Sequence, residues 1–182
     1  MFKLIPDPVL PEKYLELEKT ASVRHEFVDG IAYAMAGASR THNLLAGNMF
    51  TALRSLATGL SCRVFQTDME LRIEDDFFYP DLMVVCAPEP DDEYYETDPC
   101  ILVEVLLEST KNTDLREKAS TYRHIPSLQT YLIVDPNSKT IRHYFRGGDG
   151  NWQHQDVTDT GTVPLPCLNG LLDLAEVYGG VV

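Results

Sequence analysis

The run "CILVEVLLEST", Cys100 to Thr110, sets the tightest limit on what this chain can fold into, because Glu104 stands among five apolar neighbours: Ile101, Leu102, Val103, Val105 and Leu106. Such a run reads as a buried core strand. A carboxylate inside it is costly unless it is paired, hydrogen-bonded or holding a metal. "FYPDLMVVC", Phe78 to Cys86, is a second buried strand, with Pro80 and Asp81 at its entrance. Two acids in two core strands call for a shared partner. If the strands are neighbours, both acids converge near one sheet edge, and two hard oxygen ligands there suit a Mg²⁺ that keeps several waters, with Mn²⁺ as the substitute. Strand pleating puts Glu104 on one face with Leu102 and Leu106, and the backbone carbonyl of Val105 is expected as a third ligand.

At 182 residues the chain suits one domain over 1–182. No segment has the length and apolarity of a membrane span, and the start "MFKLIPDPVL" lacks a signal-peptide core, so a soluble cytoplasmic protein without membrane contact is expected. Cys62, Cys86, Cys100 and Cys167 are scattered without a C-x-x-C pair, which predicts buried free thiols and argues against zinc. The net charge of −13 conceals a division, since Lys111 to Arg146 carries +4 and the remainder −17. The charge therefore neither supports nor excludes nucleic acid. The acidity is densest at Glu74–Asp76 and in "PEPDDEYYETDP", Pro88 to Pro99, which reads as a solvated loop.

The spacing predicts a short opening helix in "LPEKYLELEKT" and a hairpin turning at Asp29-Gly30. A core helix is expected from Thr41 to about Thr58, capped by Ser39 or Thr41. Strands follow at Arg63–Gln66, Met69–Ile73, Tyr79–Cys86 and Cys100–Leu106. A second helix over Asn112–His124 ends at Pro126, and "QTYLIVDP" is another buried strand. A hairpin across Gly147–Gly150, then a short strand and helix, complete the chain. This order indicates an α/β (α+β) fold with a mixed sheet core at about 41–135, flanked by helices and extended by antiparallel hairpins.

Pro80-Asp81, followed 23 residues later by a glutamate in an apolar strand and then by a helix, resembles the PD-(D/E)XK restriction-endonuclease-like superfamily. In that pattern a lysine stands two positions after the acid, where this chain has Leu106. "HEFVDGIAYAMAG" with the downstream His42, "YPDLMVV", "LVEVLLEST", "DLREK" and "TYLIVDP" resemble the Uma-two-like branch, over most of residues 12 to 178. There the lysine role has moved to the following helix, at the position of Lys118. Leu107 departs from the serine common in that branch. The helix spacing is compatible, since Asp114, Lys118 and Tyr122 recur at i, i+4 and i+8 on one face.

The resemblance implies a Mg²⁺-dependent endonuclease hydrolysing DNA phosphodiester bonds. Asp81 and Glu104 would hold the metal, Lys118 would assist the nucleophile, and Glu26 and His42 would be auxiliary site residues. A homodimer is expected because such folds often pair to act on two strands. The competing expectation is a catalytically reduced nucleic-acid-binding or protein-interaction module that retains the fold. The strong negative charge and Leu106 favour it.

Overall fold

The computed structural model describes residues 2–3, 9–35, 37–107 and 118–181. In chain order the elements are β1 (Phe2–Lys3), α1 (Pro11–Glu18), β2 (His25–Val28), β3 (Ile31–Ala34), α2 (Arg40–Leu56), β4 (Arg63–Gln66), β5 (Glu70–Ile73), β6 (Asp76–Phe78) and β7 (Leu82–Val85). They continue with β8 (Tyr95–Glu96), β9 (Pro99–Val105), α3 (Ala119–Tyr122), β10 (Thr130–Asp135), β11 (Thr140–Arg146), β12 (Trp152–Thr158), β13 (Thr162–Leu165), β14 (Gly170–Asp173) and α4 (Leu174–Val177). No helix among the described residues is long and apolar enough to cross a membrane.

The strands form two six-stranded sheets, ordered β12-β11-β10-β9-β7-β4 and β1-β3-β2-β6-β5-β8, beside the separate hairpin β13-β14. The first is mixed: β9 and β10 run parallel, while β7 is antiparallel to β9. Both β7 and β9 are buried along their whole length. The pleat sends Leu82, Val84, Ile101, Val103, Leu132 and Val134 into one core with α2 and the C-terminal elements. Met83, Val85, Leu102, Leu106, Tyr131 and Ile133 enter a second core with Ala119 and Tyr122 from α3. A strand covered on both faces has no solvent side to turn a polar residue towards, which is why the apolar runs of β7 and β9 are so nearly unbroken.

Local signals act as their chemistry requires. The Ser39 side chain caps α2 by accepting from the His42 N–H at 3.1 Å, satisfying one free donor of the first turn. The β2-β3 turn places Asp29 and Gly30 at φ of 51° and 76°, both in the left-handed region that a two-residue hairpin turn needs.

Several expectations change. The hairpin at residues 25–34 is not an appendage to one sheet but part of a second, which also contains β5 and β6. The Tyr79–Cys86 strand begins only at Leu82, because Pro80 has no N–H for the ladder, and Phe77 and Phe78 pair instead with Arg72 and Leu71. The acidic loop contains β8, where buried Glu96 receives the Arg63 guanidinium at 3.1 Å. The cysteines expected as free thiols are paired as Cys62–Cys86 and Cys100–Cys167. The Asn112–His124 helix is described only from Lys118 onward, so Asp114 lies outside the described residues.

The two sheets meet at a corner. β4 pairs antiparallel with β7 in the first, and β5 with β6 in the second, so one long strand pair passes from sheet to sheet at Thr67–Asp68 and Tyr79–Asp81. Thr67 and Asp68 make the bend at φ of 37° and 60°, and the Thr67 N–H donates to the Asp81 carbonyl at 3.1 Å. Asp81 is thus fixed at the corner by backbone geometry.

His143 on β11 supplies a test of the packing. It is buried, and neither ring nitrogen has a partner among the described residues. Burial disfavours the imidazolium and pushes its pKa down to about 4. Unfolded, the ring protonates near the ordinary value of about 6.5, so the unfolded chain binds the extra proton and stability falls as pH drops from about 6.5 towards 4. At ~1.4 kcal/mol per unit the loss has a ceiling of about 3 kcal/mol. Urea titrations at about pH 7 and about pH 4.5 should show a smaller decline for His143→Leu than for the unmodified chain.

Candidate active site

The β7-β9 register pairs Leu82 with Val103, so extension by one residue sets Asp81 opposite Glu104 at the end of both strands. The arrangement is held by a backbone contact, the Val105 N–H donating to Asp81 Oδ2 at 2.7 Å. Sequence reasoning expected the Val105 carbonyl here; the structure brings the same residue to Asp81 through its N–H, which belongs to the preceding peptide group. Asp81 Oδ2 also lies 3.1 Å from His42 Nε2. An ionised carboxylate only accepts, so Nε2 is the donor in this pair. His42 reaches the corner because Ser39 starts α2 three residues earlier.

Glu104 is reached from the other side. Lys118 Nζ stands 3.0 Å from Glu104 Oε1 and 2.7 Å from Glu26 Oε1, and the Tyr122 hydroxyl donates to the same Glu104 oxygen at 3.0 Å. Lys118 and Tyr122 are one helical turn apart, which lets both converge on one atom. The Tyr79 N–H lies 3.4 Å from Glu26 Oε1, tying β2 to the corner segment. The site therefore draws Glu26 from the second sheet, Asp81 from the corner, Glu104 from the first sheet, His42 from α2, and Lys118 from the start of α3. The five residues singled out in the sequence gather at this end of the strands in two contacting sets, His42 with Asp81 and Lys118 with Glu26 and Glu104, joined through the backbone from Glu104 to Val105. Glu26 is more central than its secondary rank there implied, because its role depends on a sheet-to-sheet approach that spacing does not encode.

Burial separates the roles. The side chains of Glu26, Glu104, Lys118 and His42 are 4%, 6%, 8% and 7% exposed, whereas Asp81 is 14% exposed and is the most accessible of the group. A lysine in such a position stays charged only beside anions, and Lys118 has two within hydrogen-bonding distance. Among the described residues three carboxylates and one ammonium stand at this end of the sheet, and hard carboxylate oxygens are the donor chemistry of a divalent cation such as Mg²⁺ or Mn²⁺.

A second buried polar group, which sequence reasoning missed, adjoins this one through Tyr79. Glu18 accepts from the His25 backbone N–H at 2.9 Å and lies 2.9 Å from His25 Nδ1; the Tyr79 hydroxyl is 3.4 Å from it. The Tyr14 hydroxyl is 2.6 Å from Glu70, and burial raises the pKa of both Glu70 and Tyr79 above their usual ranges. The only advance sign was Glu18 within an otherwise exposed helix end, which carries no information by itself.

The chain resembles known proteins over nearly its full length. It is 36% identical over 180 residues to the uncharacterized protein slr1290 of Synechocystis sp. (strain ATCC 27184 / PCC 6803 / Kazusa), covering 97% of this chain and 95% of the relative. The uncharacterized protein sll1609 of the same organism is 36% identical over 146 residues, covering 77% of this chain and 82% of that one. Its fold matches a crystal structure from Anabaena variabilis ATCC 29413, described as "a putative nuclease belonging to DUF820", with a TM-score of 0.81 at 14% identity, over 96% of this chain and 100% of the other. At that identity the match speaks for the fold alone. Residues 11–175 match the family described as "Uma2: Putative restriction endonuclease", and the chain belongs to that family.

Proposed function

We propose that the protein is a Mg²⁺-dependent endonuclease that hydrolyses phosphodiester bonds in DNA, with Asp81, Glu104 and Glu26 as the acidic donor set. The observation that supports this reading is the placing of Asp81 and the Lys118-clamped pair Glu26 and Glu104 at the same end of β7 and β9, in a chain whose family is described as putative restriction endonuclease. A bound divalent ion would supply charge to polarise the scissile phosphate and to acidify a coordinated water.

The chain's own residues prepare for that chemistry. The Val105 N–H and His42 Nε2 both hold Asp81 Oδ2, fixing the carboxylate's orientation at the accessible edge of the cluster. Lys118, within hydrogen-bonding distance of both Glu26 and Glu104, offsets part of the repulsion between these carboxylates. With a phosphate bound at the cluster, the Lys118 ammonium would stabilise the negative charge that builds during attack, as a preorganised cation does. Because the lysine comes from the helix, Leu106 is free to fill the apolar core behind Glu104, where it is 6% exposed.

Purified protein incubated with plasmid and with single-stranded DNA should cleave in Mg²⁺ or Mn²⁺ and not in EDTA. Asp81→Ala and Glu104→Ala should each lower the rate at least about a hundredfold, the scale of losing a charge-stabilising group. His42→Ala, which removes an orienting contact, should cost about 10- to 100-fold. Cleavage that persists in EDTA and in Asp81→Ala would sink the proposal. If no nucleic acid is cut, the reading becomes a non-catalytic binding module built on the same fold, which the net charge of −13 would suit.

The lysine clamp predicts a separate stability effect. Lys118→Met leaves two buried carboxylates without their cation and should cost about 3–5 kcal/mol at neutral pH, measured by urea denaturation.

A further inference from the structure

The four cysteines come from four separate places in the chain, yet all meet at the end of β7 and β9 remote from the acidic site. Cys62 precedes β4, Cys86 follows β7, Cys100 is the second residue of β9, and Cys167 lies in the 3-10 turn Pro166–Leu168 between β13 and β14. The β4-β7 register sets Arg63 opposite Val85, so Cys62 falls opposite Cys86, with their Cα atoms 4.1 Å apart. Beyond the two disulfides, Cys86 Sγ is 3.6 Å from Cys100 Sγ, and the sulfurs of Cys86, Cys100 and Cys167 all lie within 4.8 Å of one another. Two independent cross-links would have no need to touch.

Three sulfurs held this closely, with the fourth, Cys62, bonded to one of them, match another chemistry. In a tetrahedral Zn–S₄ centre, bonds of about 2.3 Å place neighbouring sulfurs about 3.8 Å apart. The Cys86–Cys100 separation is close to that edge already. The group offers thiolate ligands alone, a soft set that selects zinc over the hard cations suited to the carboxylates. Its place is also that of a closed structural site: Cys100 belongs to the core beneath α2, and Cys62, Cys86 and Cys167 pack against its margin.

We propose that in the reduced protein Cys62, Cys86, Cys100 and Cys167 bind one Zn²⁺ ion in a four-thiolate site that fastens the β13-β14 hairpin to the central strand β9. The two disulfides first accept four electrons and four protons from two equivalents of a dithiol reductant, each of which is oxidised to its disulfide. Zinc then bonds to the four sulfurs as their thiol protons pass to solvent. The absence of paired-cysteine spacing is no obstacle, because neighbouring strands and a distant turn supply the convergence that a short motif otherwise provides. The site is independent of the nuclease reading, since it uses none of the acidic residues.

The test uses the full chain, reduced anaerobically, exposed to zinc and freed of excess ion, in the unmodified form and in an Asp81→Ala background that removes a competing acidic ligand. About one zinc per chain is expected in both. Cobalt substituted for zinc should give the intense visible bands of a tetrahedral thiolate complex with near-ultraviolet sulfur-to-metal charge transfer, and both should weaken in Cys62→Ser and in Cys167→Ser. Reduced protein that retains less than half an equivalent of zinc, or cobalt spectra without thiolate charge transfer, would overturn the site. So would the same spectra persisting after both serine substitutions. Because zinc content and the cobalt spectrum are read first on the unmodified chain, misfolding of a serine variant cannot decide the outcome.

Discussion

The Lys118 ammonium, enclosed between Glu26 and Glu104, is the interaction on which the arrangement of the site depends. Burying a carboxylate at that depth is costly without a cation beside it, and burying the Lys118 ammonium is costly without an anion. The three come from a hairpin in one sheet, a central strand in the other and the helix that covers the second core. Their mutual neutralisation therefore cross-braces the two sheets. Tyr122 adds a neutral donor to the same Glu104 oxygen, so the carboxylate is held from one helix by both charge and hydrogen bond.

That brace works only because the backbone delivers Asp81 to the same place. A strand pair that stayed in one sheet would carry Asp81 along a ladder, with its orientation set by the pleat alone. Here Pro80 interrupts the pairing, Thr67 and Asp68 take left-handed conformations across from it, and the chain turns into the next sheet. Asp81 lies on the turn and is gripped by the Val105 amide and His42. The accessible acid is thus the most precisely held by backbone, while the buried acids are held by side chains.

Much of this could be read in advance, for reasons that differ by residue. Glu104 announced itself because an acid in an unbroken apolar run has few physical explanations. The Asp29-Gly30 turn and the Ser39 cap were legible because their chemistry is local. Lys118 emerged through a resemblance and a helical spacing shared with Tyr122. The division into two sheets was not legible, since β5 and β6 pair by a turn at Glu74 whose acidity looked like a solvated loop, and whether strands share a sheet is decided by long-range pairing. For the same reason Glu26 was undervalued, the Glu18–His25 and Glu70–Tyr14 contacts were missed, and the meeting of all four cysteines was hidden by their separation along the chain.

The corner has a consequence for when the site is assembled. Glu26, Asp81, Glu104 and Lys118 are brought together only after both sheets have formed, the strand pair has bent between them and the helix has docked. No partly folded intermediate that lacks one of these steps contains the complete cluster. Under the proposed nuclease function, a chain emerging from synthesis would carry every acidic group and yet be harmless to the nucleic acid around it, with competence arriving only together with the finished fold.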